Sequence, residues 1–352
     1  MTESVSYLLV MVKNKYNDFR IFFITLLFNK LLKMTVKIII LLIGLLLIVF
    51  GADYLVEGSS SIARRLGLSE FIIGLTIVGI GTSTPEMVVS FISAFNGNAD
   101  MAIGNVIGSN IFNTMVILGV TALIAPLVIT RNNLKRDIPM NIAVTALLII
   151  LGLNFTLFGK GADQISRIDG FMLLLLFAWY MYRSFKTDSP DKEEEEEEAI
   201  SRPIWLAVIM ILGGLAGLVA GGRLFVDSAT ELAKMFGVSD KFIAITILAG
   251  GTSMPELATC VVAAVKGKGQ LALGNILGSN ISNILLILGG AALIHPLSFK
   301  AITYVDMGAL LVCSLFLLTS TYAFKKGKLD RVEGFILLMI ESVYMWYLIS
   351  NL

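Results

Sequence analysis

The chain has 352 residues, of which 56% are hydrophobic and 15% charged, with a net charge of +1. A soluble globular protein carries about 25% charged residues, and 20 of the 53 here crowd into residues 1–37 and 183–202. Long uncharged tracts remain, several reaching the roughly 20 apolar residues that cross a ~30 Å hydrocarbon layer as a helix. A soluble enzyme is excluded, and the near-neutral balance offers a nucleic acid no surface. Cys260 and Cys313 both lie in apolar runs and read as buried thiols rather than as a disulfide scaffold.

In chain order, residues 1–34 form an extension of two readings. Its apolar stretch 21–32 is too short to span and is bracketed by Lys13, Lys15, Arg20, Lys30 and Lys33. It reads either as an interfacial basic helix or as sequence upstream of a true start at Met34; it has no small-residue cleavage site of a secretory signal. Ten spans then follow, near 38–62, 70–95, 101–125, 138–158, 166–184, 203–232, 240–265, 270–294, 302–323 and 332–350. Between the fifth and sixth lies the linker 186–202, whose six consecutive glutamates at 193–198 read as solvated and self-repelling. The ten-residue alternation of a membrane barrel is absent. The expected fold is an all-α polytopic membrane protein with units at 35–185 and 203–352.

Residues 81–113 match residues 251–283 without a gap at an offset of 170, with 15 of 33 positions identical. Gly51, Glu57, Gly67 and Ser69 fall on Gly221, Asp227, Gly237 and Ser239 in the same register. Apolar filler would not preserve Gly, Asn, Ser, Pro and Glu in this way, so the chain reads as a duplicated five-span unit. An odd number of spans turns the second copy over, giving two inverted five-helix repeats, the plan of secondary transporters. Lys and Arg number fifteen on one set of loops and five on the other. The richer face is expected to be cytoplasmic, with both termini outside a plasma membrane.

Each copy places Gly-Thr-Ser-x-Pro-Glu inside an apolar span. Pro85 cannot donate to the Gly81 carbonyl, so that turn is expected to open, and a dehydrated cation could take the freed oxygen. Thr82 and Glu86, four apart, are expected on one face with Ser83 beside them. Asn105, Ser109 and Asn113 recur every four residues, as do Asn275, Ser279 and Asn283, each set forming a polar stripe. Gly104 with Gly108, and Gly274 with Gly278, are spaced for close helix approach.

Glu86 and Glu256 are the sharpest candidates, because an ionised carboxylate at mid-bilayer costs at least ~2.5–3.5 kcal/mol. Two such groups with Thr carbonyls and Ser and Asn oxygens make an all-oxygen cage suited to a hard cation such as Ca²⁺. A soft metal is disfavoured, since the stripes hold no Cys, Met or His at ligand spacing. His295, beside Pro296, and the acids Asp53, Glu57, Asp227, Asp169 and Glu333, near span ends, read as structural.

These paired motifs, GTS-x-PE and GN-xx-GSN-xx-N, resemble the α-repeats of the cation/Ca²⁺ exchanger superfamily, and residues 35–352 look most like its microbial sodium/calcium exchanger branch. The resemblance implies Na⁺-driven Ca²⁺ antiport by alternating access, with no enzymatic activity and no cofactor. It implies a Ca²⁺ site at Glu86, Glu256, Thr82 and Thr252. It also implies Na⁺ sites completed by Ser83, Ser253, Ser109, Ser279, Asn113 and Asn283, with carbonyls near Gly79 and Ala249. Spans 38–62 and 203–232 would be sliding gate helices. Several such exchangers carry Asp where Asn283 stands, so this cage holds two formal charges rather than three. A Ca²⁺/H⁺ exchanger using the same glutamates and a passive cation channel are the alternatives; a monomer suffices for each.

Overall fold

The computed structural model describes residues 2–159, 162–188, 202–238, 249–299, 302–323 and 327–350. It is mostly helical. Helix α1 runs unbroken over Thr2–Leu66, through the boundary expected at residue 34. The second expected span is broken into α2 (Glu70–Ile73), a π-helical stretch Gly74–Val78, α3 (Gly79–Thr82) and α4 (Thr84–Phe95). Then come α5 (Ala99–Phe112), α6 (Leu118–Ile124), α7 (Ile138–Gly152), α8 (Asn154–Phe158) and α9 (Arg167–Lys186). The second half holds α10 (Ile204–Met235), α11 (Ala249–Gly251), α12 (Met254–Val265), α13 (Gly269–Ser282), α14 (Gly289–Ile294), α15 (Tyr304–Ala323) and α16 (Arg331–Ser350). Five described helical stretches are long and apolar enough to cross a membrane, six if the bent pair Glu70–Thr82 and Thr84–Phe95 is one span. The other four expected spans are helical over their described residues, but shorter, interrupted or less apolar. Most of the expected acidic linker, including 193–198, lies outside the described residues, as do Ser239 and residues 240–248 of the seventh expected span.

Helices α1 and α10 pack backbone against backbone. Gly44, Gly51 and Gly58 recur every seven residues on α1. A Cβ added at each would lie 2.8 Å from a backbone atom of α10, at Phe225, Gly214 and Ala207 respectively. No larger side chain fits without parting the helices. Lys37 pairs with Glu231 at 2.6 Å near one end of this seam. Near the other, α1 is tied to the α12–α13 connection, where Lys266 meets Asp53 at 2.6 Å and Glu57 at 2.9 Å. Burial works against the Lys266 ammonium, but these carboxylates outweigh it and raise its pKa, so it stays charged at neutral pH.

The two halves contact each other reciprocally. Gly119 of α6 meets Gly334 of α16, and Gly170 of α9 meets Gly289 of α14, at distances only glycine allows. Two short antiparallel pairs, which the apolar pattern did not foretell, follow the same plan. Strand β1 (Leu127–Val128) pairs with β4 (Lys328–Leu329), and β2 (Gln164–Ile165) with β3 (Leu297–Ser298). They satisfy backbone groups where the chain leaves α6 and α14.

Several of the expected structural residues have local partners. Asp169 completes a capping box with Ser166 at the start of α9, and Glu333 accepts from the Asp330 N–H at 2.9 Å. Both cysteines are free and buried, and exposed His295 shares a 2.8 Å contact between Nδ1 and the Pro296 carbonyl.

Candidate functional site

The site is built on two matching breaks. Helix α3 ends and α4 begins at Ser83, whose φ and ψ of −76° and 9° leave the helical region, and the segments diverge by 48°. Ser253 separates α11 from α12 with nearly the same angles, −89° and 8°. Pro85 and Pro255 sit in the first turn of α4 and α12, where their missing N–H is harmless. Glu86 and Glu256 follow in those first turns, so each carboxylate stands at the positive end of a half-helix. The expected capture of the Gly81 carbonyl by an ion is corrected here: Thr84 Oγ1 donates to it at 2.7 Å.

The breaks face each other. Ser83 Oγ donates to Glu256 Oε1 at 3.0 Å, and Ser253 Oγ donates to Glu86 Oε1 at 3.1 Å. Both glutamates are 1% exposed. Their remaining oxygens, Oε2 of Glu86 and of Glu256, are buried with no hydrogen-bond partner among the described residues. So are Oδ1 of Asn113 and Oδ1 of Asn283. These four oxygens form two pairs related by the 170-residue offset. Other buried polar atoms without a partner, including both of Asn141 and Oε2 of Glu341, form no such pair. An unpartnered buried acceptor costs about 1–3 kcal/mol, more when charged, and desolvated cations would supply the missing partners. The donor set is oxygen only, as a hard cation requires.

Asn113 and Asn283 each open a π-helical turn, Asn113–Ile117 and Asn283–Leu288. Such wider turns interrupt the regular bonding of a helix and are frequent at functional sites. The rest of each polar stripe has partners within the protein. Asn105 Nδ2 donates to the Glu86 carbonyl and to Ser90 Oγ, while Asn275 Nδ2 donates to Cys260 Sγ. These amides tie α5 to α4 and α13 to α12. Ser109 Oγ donates to the Asn105 carbonyl, and Ser279 Oγ to the Gly79 carbonyl at 3.1 Å. Buried Thr82 donates through Oγ1 to Asn275 Oδ1 at 3.2 Å. Thr252 is half-buried, and the backbone of Ala249 opens α11.

The small-residue pairs differ between the halves. A Cβ at Gly274 would lie 2.2 Å from the Phe71 carbonyl, and one at Gly278 would lie 2.3 Å from that of Leu75. At Gly104 and Gly108, nothing among the described residues comes within 4 Å.

Two residues at the centre were outside the expected set. Asn110 and Asn280, one position off the stripes, bond to each other's helices. Their signal was present as identity in both copies of the motif, but a four-residue period passes over them.

The chain matches the family described as "Sodium/calcium exchanger protein" over residues 36–186 and 206–350. It is 32% identical over 348 residues to the sodium/calcium exchanger MaX1 of Methanosarcina acetivorans, covering 88% of this chain and 98% of that one. It is 36% identical over 286 residues to the inner membrane protein YrbG of Escherichia coli, covering 78% of this chain and 86% of the other. A solved structure of the sodium-calcium exchanger NCX_Mj superposes with a TM-score of 0.75 at 33% identity, covering 88% of this chain and 97% of that one.

Proposed function

The chain belongs to the sodium/calcium exchanger family, and from that premise we propose that it exchanges Na⁺ for Ca²⁺ across the plasma membrane, driven by the Na⁺ gradient. Antiport of Ca²⁺ against another cation is the activity of the family; the coupling ion, the membrane and the residues are our reading. The observation that carries it is the set of four buried oxygens without partners, on Glu86, Glu256, Asn113 and Asn283. In this reading Ca²⁺ binds Glu86 and Glu256 with oxygens of Thr82 and Thr252. Na⁺ binds with help from Ser83, Ser253, Ser109, Ser279, Asn113, Asn283 and the carbonyls of Gly79 and Ala249.

The architecture that serves this function is two five-helix repeats of opposite orientation, crossing the bilayer ten times as a monomer. The reciprocal contacts described above support it. The loops rich in Lys and Arg then face the cytoplasm, with both termini outside. Helices α1 and α10, packed on their glycine seam, move together as the gate. Lys266, Asp53 and Glu57 close the cytoplasmic end.

Coupling follows from charge. One Ca²⁺ neutralises two glutamates, and so do Na⁺ ions, whereas two bare carboxylates in a low-dielectric site are costly. The site therefore changes sides loaded. Ca²⁺ uptake into proteoliposomes is expected to follow an imposed Na⁺ gradient and to be unaffected by a protonophore. Uptake that ignores Na⁺ and collapses with the protonophore would overturn Na⁺ coupling in favour of H⁺, and single-channel steps in a planar bilayer would overturn antiport.

Ser83→Ala and Ser253→Ala each remove one hydrogen bond to a glutamate of the opposite repeat. Each is expected to raise the KM for Ca²⁺ about tenfold, from the ~1.5–3 kcal/mol of a bond to a charged group, as measured by initial rates of ⁴⁵Ca²⁺ uptake.

A further inference from the structure

The side-chain amides of Asn113 and Asn283 can each turn either an oxygen or an NH₂ group to one side, and hydrogen bonding decides which. Asn283 Nδ2 donates to Asn110 Oδ1 at 2.9 Å. Asn113 Nδ2 donates to Asn280 Oδ1 at 3.2 Å. Each amino group is thereby held by the asparagine of the opposite repeat, three residues before that repeat's own site asparagine. The holders are themselves fixed. Asn110 Nδ2 donates to the Asn280 carbonyl at 3.0 Å, and Asn280 Nδ2 donates to Thr114 Oγ1 at 2.8 Å. All four asparagines are at most 2% exposed, so no bulk water competes for these bonds.

We propose that Asn110 and Asn280 are positioning residues that hold the amides of Asn283 and Asn113 with their oxygens, not their amino groups, toward the cation. The inference rests on the reading of Glu86 and Glu256 as Ca²⁺ ligands with the Na⁺ ligands Asn113 and Asn283 beside them. The turn that carries Asn283 packs against α4, which carries Glu86, and the turn that carries Asn113 packs against α12, which carries Glu256; a charged carboxylate draws N–H donors more strongly than a neutral oxygen does. Without Asn110, Asn283 turns over and donates to a glutamate. The glutamate then carries an internal competitor for Ca²⁺, and the adjoining Na⁺ site loses one oxygen.

The test is a double-mutant cycle with Asn283→Asp, because a carboxylate presents an oxygen whichever way it turns and has no amino group to misplace. Full-length protein is reconstituted in liposomes and the KM for ⁴⁵Ca²⁺ is measured. Asn110→Leu alone is expected to raise KM at least about tenfold. On the Asn283→Asp background the same change is expected to raise it less than about threefold. An equal loss on both backgrounds would reduce Asn110 to a packing role and overturn the proposal, as would an unchanged KM in the single variant. If Asn110→Leu does not assemble, Asn110→Ser, which is too short to hold the amide, runs the same cycle with the same expectations. The parent protein separates the two readings. Absence of Ca²⁺ transport there removes the Ca²⁺ site itself, whereas normal parent transport with additive variants removes only the positioning role.

Discussion

Glu86→Gln and Glu256→Gln are each expected to abolish Ca²⁺ flux while the protein still inserts and purifies as a single species. Glutamine keeps the volume and can still accept from Ser253 or Ser83 through its carbonyl oxygen. What it removes is one of the two formal charges proposed to balance Ca²⁺. Breaking a buried charge pairing by removing one partner costs about 3–5 kcal/mol, or about two to four decades in affinity. Folding is spared because the ion-free protein holds two carboxylates buried at the meeting of the repeats. Neutralising one relieves their repulsion, so thermal stability without Ca²⁺ should rise. Added Ca²⁺ should stabilise the parent and no longer stabilise the variant. Near-normal exchange by either variant would refute the site.

Gly278→Val is expected to prevent assembly of the folded protein. A Cβ at Gly278 would sit 2.3 Å from the Leu75 carbonyl oxygen and 2.6 Å from the Leu75 Cα, both backbone atoms that no rotamer change can move. The neighbouring contacts interlock with it, since a Cβ at Gly74 would lie 2.4 Å from the Leu271 carbonyl and one at Gly274 2.2 Å from that of Phe71. The broken second span and α13 therefore approach as bare backbones, and valine must push them apart next to Ser279 and its bond to Gly79. Overpacking of this kind usually costs ~1–3 kcal/mol, and more where the obstacle is main chain. Gly213→Ala supplies the control, because Gly213 is exposed on α10 with nothing among the described residues within 4 Å. Size-exclusion profiles of the detergent-extracted proteins should show a folded peak for Gly213→Ala and none for Gly278→Val. A stable Gly278→Val protein would contradict the close crossing.

The sequence was enough to reveal the duplication, the two chain breaks and the central glutamates. Each leaves a local physical trace. A proline removes a donor wherever it falls, a carboxylate in an apolar tract is costly whatever its neighbours, and a gapless repeat of polar residues needs no fold to be seen. The seven-residue recurrence of Gly44, Gly51 and Gly58 was equally present, but only packing shows that it lies against α10. Partnership was decided by the tertiary structure. A four-residue period places Asn105, Ser109 and Asn113 on one face, yet Asn105 turns to Ser90 and the Glu86 carbonyl while Asn113 reaches Asn280. The Gly81 carbonyl finds a partner in Thr84, and Asn110 and Asn280 bond to Asn283 and Asn113 although they stand beside the stripe. Periodicity specifies the direction in which a side chain leaves its helix. Which acceptor it meets depends on where another helix crosses, as for Asn113 and Asn280, 167 positions apart.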